Sequence, residues 1–558
     1  MTENRMSAPG QMMDFPLTTQ HFLWRMRCVH PNSTVASVQD DSDRCDTYTF
    51  VEIADRAHAL ADSLTRLGVL PGDRVGTFAW NSSEHMEIYL AVMSMGAVLH
   101  TANPRLHDDQ LVWTIEHAED RVLIVDHSLL PQIAPLLDRL PGVEHVIVIG
   151  DAPDEVAGRP CSSYRMLISA GDSAFEFPVL DERSAAALCY TSGTTGDPKG
   201  VLYSHRSIAL HALIMSGAEV FAVSKSDVVL ATVPMFHVIG WGLPFLSILS
   251  GADLVMPGKQ VSAPHLLRLI KEHGITWSSG VPTIWMDVLR HIDTHPDSVI
   301  DDLSSLKKLI LGGSQVPGEL IRRFADEAGT EVISGWGMTE IFPGAAVANP
   351  DPGLGTEQNR RLQARAGRVS PFYEVRLTDD SGTVVPHDGS SRGEIEIRGP
   401  VVAASYYRQN DTADKFRDGW LRTGDVATID PEGWIIIVDR SKDMIKSGGE
   451  WISSADLEAA LLEHPRVAEA VVVGREDERW GERPHAFMVI GESVSDDELR
   501  KFLADRVAKW WIPDRFDVVS ELPRTTTGKY DKKALRRQLG VQSLTAPLGA
   551  GPDNGAAR

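Results

Sequence analysis

The chain has 558 residues, 43% hydrophobic and 23% charged, with a formal net charge of −23 at pH 7. That length exceeds what one hydrophobic core supports, so two or more domains are expected. The acidic balance argues against a nucleic-acid backbone as the main partner, which would need clustered Lys and Arg, but it leaves room for a small anionic ligand in a local basic pocket.

The N-terminal M-T-E-N-R-M-S-A-P-G has no apolar signal-peptide region. Apolar residues Phe50, Ile53, Ala57, Leu60, Ala61, Leu64 and Leu67 repeat with helical period. Pro71-Gly72-Asp73 turns the chain into a short strand, R-V-G-T-F-A, and a second helical pattern runs from about Glu84 to Met95, ending at Gly96. V-L-I-V-D at Val122 to Asp126 and H-V-I-V-I-G at His145 to Gly150 are short apolar runs that predict buried strands. The stretch Ala231 to Leu249 has no charged Lys, Arg, Asp or Glu. Its Pro234, Gly240, Gly242 and Pro244 make it a poor membrane helix, so a buried, cavity-lining segment is expected. G-A-D-L-V-M-P, a helix near Pro264 to His273, I-T-W-S-S-G-V-P and a strand ending in glycines within Leu306 to Gly313 continue the alternation.

These elements predict an α/β fold: a large N-terminal domain of mainly parallel sheets with helices. From about Tyr373 the texture changes to strands and turns, which predicts an antiparallel, barrel-like subdomain. A boundary is placed at D-R-S-K-D, and a small α+β domain follows it. There A-E-A-V-V-V-G predicts a strand, and Ser495-x-x-Glu498 a capping box for a helix carrying Leu499, Phe502, Leu503 and Val507. The expected division is 1–439, a hinge at 440–442, a C-terminal domain at 443–540 and a disordered tail at 541–558. Cys28, Cys45, Cys161 and Cys189 form no C-x-x-C pair, so neither a disulfide framework nor zinc is expected and a reducing, cytoplasmic setting fits.

Y-T-S-G-T-T-G-D-P-K-G, Tyr190 to Gly200, concentrates glycines, hydroxyls and one lysine. Glycines let backbone N–H groups approach phosphate oxygens, hydroxyls donate, and Lys199 adds charge. It is not a Walker A loop, because Pro198 precedes Lys199. A solvated loop is the ordinary reading of such a stretch taken alone. The companions are P-M-F-H-V (Pro234 to Val238), G-G-S-Q-V-P (Gly312 to Pro317), G-W-G-M-T-E (Gly335 to Glu340), T-G-D (Thr423 to Asp425), D-R-S-K-D (Asp439 to Asp443) and P-R-T-T-T-G-K (Pro523 to Lys529).

Together and in this order, these motifs resemble the adenylate-forming superfamily of acyl-CoA synthetases, adenylation domains and luciferases. The resemblance covers nearly the whole chain apart from the final tail, and is closest to bacterial medium- and long-chain fatty acyl-CoA synthetases and methylthiopropionate ligases. It implies an ATP- and coenzyme A-dependent acid–thiol ligase using Mg²⁺. The phosphate loop would be Thr191, Ser192, Gly193, Thr194, Thr195, Gly196 and Lys199. Gly313, Ser314, Gly335, Gly337, Met338 and Thr339 would surround the nucleotide, and Trp336 would stack on adenine where the family has Tyr. Asp425 would accept the ribose hydroxyls, Arg440 would lie near them, and Glu340 and Thr191 would hold Mg²⁺. Lys529 would be the adenylation lysine, and His237 a possible helper in removing the thiol proton. His237, Gly240, Trp241, Gly312 and Trp336 would line the acyl pocket. Lys442 would be the pivot that exchanges Lys529 for a coenzyme A face at Lys446, Gly448, Gly449, Glu450 and Trp451.

Singly, each residue has a plainer reading. Lys529 resembles a solvated lysine after a turn, Glu340 a helix cap, Asp425 a turn residue and His237 a core histidine. Only their joint order favours the functional set. No acidic residue stands in the Pro234 motif to meet an ammonium, which disfavours an amino-acid substrate. No carrier attachment site G-G-x-S follows, which favours free coenzyme A. M-M-D-F-P-L-T-T-Q-H-F-L-W-R resembles the arm that builds a homodimer in this synthetase group. Alternatives are a ligase for a short thioether acid such as methylthiopropionate, an amino-acid or aryl-acid adenylating enzyme, a luciferase-like oxygenase, and a catalytically inactive nucleotide- or acyl-binding protein. No transmembrane segment is expected; loose membrane association would be compatible with substrate drawn from lipid.

Overall fold

Thr49 opens the helix Phe50–Arg66 with a capping box. Its hydroxyl accepts from the N–H of Glu52, and the Glu52 carboxylate accepts from the N–H of Thr49 at 2.7 Å. The apolar face so started, Phe50, Ile53, Ala57, Leu60 and Leu64, is fully buried. It packs on the helix Ser83–Ser94, which is buried all round and lies deep within the large domain. The computed structural model describes residues 10–38, 44–191, 197–295, 300–409, 412–448, 450–525 and 529–545.

Two large sheets carry the N-terminal part. In the nine-stranded sheet, Glu331–Trp336, Lys308–Gly312, Trp277–Gly280, Val228–Leu230, Asp253–Met256 and Thr34–Val38 run parallel, with antiparallel strands at both edges. In the eight-stranded sheet, Ala185–Tyr190, Val98–Thr101, Arg74–Phe78, Asp120–Asp126 and His145–Ile149 lie side by side in that order and run parallel, and Ala185–Tyr190 pairs antiparallel with Gly200–Ser204 on its other side. One large core cluster includes residues from both sheets, among them Val75, Leu99, Val229, Ile310 and Ile333. A six-stranded antiparallel sheet follows, from Glu374–Thr378 to Ile435–Arg440. The next strand, Ile445–Ser447, belongs to a separate five-stranded sheet with its own apolar clusters. The fold is α/β with a distinct C-terminal α+β unit, in agreement with the periodicity of the sequence.

The C-terminal sheet is mixed, since Arg515–Val518 adds to it in parallel. Two details differ from expectation. The helix begun at Ser495 ends at Ala504, leaving Val507 beyond it; the N–H of Val507 donates back to the carbonyl of Leu503 at 2.9 Å and closes the turn. The last helix, Lys532–Thr545, runs past residue 540, because no Pro or Gly interrupts the chain between Val541 and Thr545. The rest of the tail lies outside the described residues.

The apolar stretch from Ala231 is broken by turns before it becomes the short helix Leu243–Ser250. Among the described residues no helix is long and apolar enough to cross a membrane.

Candidate active site

The two large sheets present their loops to one cleft. On the first, Gly312 and Gly335 are register partners at adjacent strand ends. A Cβ on Gly312 would stand 2.9 Å from the Gly335 carbonyl oxygen and 3.2 Å from Cη2 of Trp241, so only glycine leaves this wall flat. Gly313 follows at φ +87°, and a Cβ there would lie 3.3 Å from Cε of Lys529. The adenylation-lysine candidate of the C-terminal unit therefore reaches into the cleft of the large domain. Withdrawal from water, together with the charge of Arg440, pushes Lys529 down to about 8. Its backbone closes a tight loop: the N–H of Thr525 donates to the Lys529 carbonyl at 2.6 Å, and the Lys529 N–H donates to the Thr525 hydroxyl at 3.2 Å.

Trp336 ends its strand with the ring buried. Its indole N–H donates to Oδ2 of Asp425 at 2.8 Å, and Arg440 meets the other carboxylate oxygen at 3.0 Å. This takes up the departure from the family's Tyr: the indole edge makes its own polar contact instead of losing one. The Asp425 charge holds the Arg440 guanidinium above its ordinary range. Gly337 has no room for a side chain, since a Cβ would stand 2.7 Å from Cα of Pro343. Met338, Thr339 and Glu340 lead into the single turn Thr339–Ile341, where Thr339 and Glu340 are buried. Ser314 lies in the bend after Gly313.

At the phosphate loop, the Thr191 N–H donates to the Lys199 carbonyl at 2.9 Å, and the Lys199 N–H donates to the Thr191 hydroxyl at 3.2 Å. This pair clamps the neck of the loop. Ser192, Gly193, Thr194, Thr195 and Gly196 lie outside the described residues. A pocket lined by Tyr190, Thr191, Phe236 and His237 connects the neck to the aromatic–His pair. Burial and the nearby charges of Lys529 and Arg105 push His237 down to about 3, so it is neutral at physiological pH.

Beyond His237 the backbone enters the left-handed region at Val238, Ile239, Gly240, Trp241 and Gly242. Three of these are not glycine, and each costs on the order of 1–3 kcal/mol. The strain is balanced on the upstream side. Buried Asn81 donates to the carbonyls of Ala231 and Val233, each at 2.7 Å, and accepts from the N–H of Met235 at 2.7 Å. The Tyr89 hydroxyl donates to the Met235 carbonyl. The segment thus delivers Trp241 beside Gly312, whereas Gly240 faces Met235 and Pro244 and His237 faces the pocket with Tyr190 and Thr191.

The remaining candidates sit on the C-terminal unit. Ile445–Ser447 and Glu450–Ile452 form a hairpin in which Lys446 is opposite Trp451, with its Nζ 5.2 Å from the ring centre. Glu450 is exposed. Gly448 has φ +61°, donates to the Trp480 carbonyl at 2.7 Å, and would strike the Trp480 ring at 2.8 Å if it carried a Cβ. Gly449 lies outside the described residues. Lys442 stands in the turn between the two units, where its carbonyl accepts from Arg536 at 3.3 Å and Arg536 pairs with Asp443 at 2.7 Å.

Several neighbours were not singled out from the sequence. Asn81 opens an ordinary N-S-S-E helix start and Tyr89 lies within the helix that follows, and nothing local marks either. Arg105 and Lys259 line a second cleft beside Phe236. Tyr406 donates to Glu340 at 2.5 Å. Each gains its place through contacts distant in sequence, which no local pattern records.

For Mg²⁺, the available donors are the Glu340 carboxylate and the Thr191 hydroxyl. No group of three or more His, Cys, Asp or Glu that could hold a metal occurs among the described residues. One carboxylate and one hydroxyl are oxygen donors of the kind Mg²⁺ takes, since it binds one or two protein oxygens and completes its shell with phosphate and water.

Comparison with known proteins shows the family. The AMP-binding enzyme family matches residues 26–407, and the AMP-binding enzyme C-terminal domain matches 456–529. The chain is 42% identical to a 3-methylmercaptopropionyl-CoA ligase of Ruegeria lacuscaerulensis over 95% of this chain and 98% of the relative. It is 40% identical to a long-chain-fatty-acid–CoA ligase of Thermus thermophilus over 96% and 98%. The crystal structure of the anthranilate CoA ligase AuaEII with anthranoyl-AMP superposes with a TM-score of 0.85 at 28% identity, covering 95% of this chain and 99% of that one. The chain belongs to the AMP-binding family of adenylate-forming enzymes, and it is an ATP-dependent acid–thiol ligase of the acyl-CoA synthetase kind.

Proposed function

We propose that the protein activates a medium- or long-chain fatty acid to acyl-AMP, releasing pyrophosphate, and then transfers the acyl group to coenzyme A with release of AMP. The observation that carries this reading is Lys529 lying against Gly313, beside the Trp336–Asp425–Arg440 group. A carboxylate has no good leaving group until it becomes a mixed anhydride. In-line attack on the α-phosphate concentrates negative charge there, and a sequestered lysine is suited to meet it. Trp336 would stack on the adenine with its edge fixed, and Asp425 and Arg440 would take the ribose. Thr191, Lys199 and the loop between them would hold the outgoing phosphates. Glu340 and Thr191 would hold Mg²⁺, which supplies charge neutralisation at the β- and γ-phosphates.

In the second half-reaction the thiol sulfur forms a bond to the acyl carbon, the bond to AMP breaks, and the thiol proton leaves. His237 is neutral and free to accept that proton in passing, although its depressed basicity makes it a weak base. Rotation about Lys442 would withdraw Lys529 and bring up the Lys446–Trp451 hairpin to meet the pantetheine arm. A homodimer built through the N-terminal arm and work in the cytoplasm complete the reading.

A short thioether acid is the second reading. It is favoured by Trp241 closing on Gly312 at the acyl wall and by the similarity to the Ruegeria ligase. The deciding experiment is pyrophosphate release with ATP and Mg²⁺ across straight-chain acids of graded length and methylthiopropionate, with and without coenzyme A, products identified by mass. A coenzyme A-dependent maximum at medium or long chains supports the fatty-acid reading; a maximum at the thioether acid replaces it with the second.

A further inference from the structure

Glu340 reaches the cleft on a single turn of helix, Thr339–Ile341, followed directly by Phe342 at φ +43°. So short a turn cannot fix the direction of a side chain by itself. The segment 403–407 does so from outside. The N–H of Ala403 donates to the Glu340 carbonyl at 2.7 Å, and the Tyr406 hydroxyl donates to Oε1 of Glu340 at 2.5 Å. Both side chains are buried, Tyr406 at 4% and Glu340 at 5% exposure. Phe416 meets the Tyr406 ring edge-on at 5.2 Å and restricts its rotation.

The same tyrosine touches the phosphate loop. Nζ of Lys199 lies 4.9 Å from the centre of the Tyr406 ring, and the N–H of Tyr407 donates to the Gly200 carbonyl at 2.8 Å. One side chain therefore holds the carboxylate with its hydroxyl and the loop lysine on its face, a cation–π contact.

We propose that Tyr406 is the positioning residue for metal binding: its hydroxyl occupies one oxygen of Glu340, so that the carboxylate meets Mg²⁺ through the other, while its ring holds Lys199 until ATP arrives. This rests on the reading that Glu340 is the Mg²⁺ ligand. Mg²⁺ demands a near-octahedral shell and is ill served by a carboxylate free to bind through both oxygens. Partners that orient a ligand without touching the metal are commonly worth a factor of about 10–100 in metal affinity.

The test uses the full-length enzyme and two readouts: ATP binding by calorimetry at graded Mg²⁺, and the Mg²⁺ dependence of pyrophosphate release. Tyr406→Phe keeps the ring and removes the hydroxyl. The Mg²⁺ needed for half-maximal effect should rise about tenfold in both readouts. ATP binding without metal and thioester formation from supplied acyl-AMP should stay unchanged. Glu340→Asp cannot reach the phenol and should show the same shift, and adding Tyr406→Phe to it should change little more, the mark of one shared interaction. The proposal is overturned if Glu340→Gln raises the Mg²⁺ requirement and Tyr406→Phe does not, or if the two effects simply add. If Glu340→Gln leaves the Mg²⁺ requirement unaltered, the reading of Glu340 as metal ligand falls and takes this proposal with it.

Discussion

The indole N–H of Trp336 and the carboxylate of Asp425, 89 positions apart in the chain, are joined by a buried hydrogen bond of 2.8 Å. The bond ties the last residue of a parallel strand in the nine-stranded sheet to a strand of the antiparallel subdomain, and it orients the carboxylate before any nucleotide binds. Trp336→Phe keeps an aromatic face but leaves Asp425 with Arg440 alone. A hydrogen bond to a charged group is worth about 1.5–3 kcal/mol, so the KM for ATP should rise at least tenfold with little change in the KM for coenzyme A. Steady-state kinetics with each substrate varied in turn check this; equal effects on both would refute a nucleotide-specific role.

On the proposed mechanism, Lys529 carries the pH dependence of the first half-reaction. With its basicity pushed down to about 8, the lysine is cationic below that pH and neutral above it. Since the charge is what meets the phosphate, kcat/KM for pyrophosphate release should be level near pH 7 and fall about tenfold per unit well above pH 8, this ratio reporting groups of the free enzyme. Lys529→Arg should lose overall rate but also lose that alkaline limb, because a guanidinium stays charged. A limb that persists in the arginine variant would assign it to another group.

Asn81 should matter for stability and for the acyl pocket together. Asn81→Ala strands the carbonyls of Ala231 and Val233 and the N–H of Met235, all facing a buried site. One buried group left unsatisfied costs about 1–3 kcal/mol, so a loss of about 3 kcal/mol or more in unfolding free energy is expected. Acid selectivity should broaden as the strained turn at Val238 to Gly242 relaxes. Denaturant unfolding and the acid profile measured on the same preparation check both halves.

On the proposed reading, Trp241 and Gly312 set the depth of the acyl wall. Trp241→Ala removes the ring that closes on Gly312 and should shift the preferred acid toward longer chains. Gly312→Ala places a methyl 2.9 Å from the Gly335 carbonyl oxygen, and should cost about 1–3 kcal/mol of stability and much of the adenylation rate. An unchanged chain-length optimum in Trp241→Ala would remove this residue from the specificity argument.

The helices and strands of the large domain could be read from the sequence because each buries a face whose period is local: 3.6 residues for Phe50–Arg66, continuous apolar runs for Asp120–Asp126 and His145–Ile149. The motif residues were legible as a set, since their order along the chain matches one family. Where they meet was not. Gly313 and Lys529 are separated by more than two hundred residues, and nothing near either one announces the other.

What the sequence alone determined is the chemistry available: a loop of glycines, hydroxyls and one lysine, a terminal lysine after T-T-T-G, an acidic residue after G-M-T, and the alternation that makes an α/β fold. These are properties of short stretches, where spacing and side-chain type carry the information. The tertiary structure decided which part of the C-terminal unit meets the glycine wall of the large domain, by placing Lys529 against Gly313. It decided how a tryptophan serves where the family has tyrosine, by turning the indole edge to Asp425. It also decided what holds Glu340, by folding Tyr406 from a distant segment onto it. Such relations depend on burial and on contacts between remote strands. Their energies arise only when the chain has closed on itself and water has left the cleft.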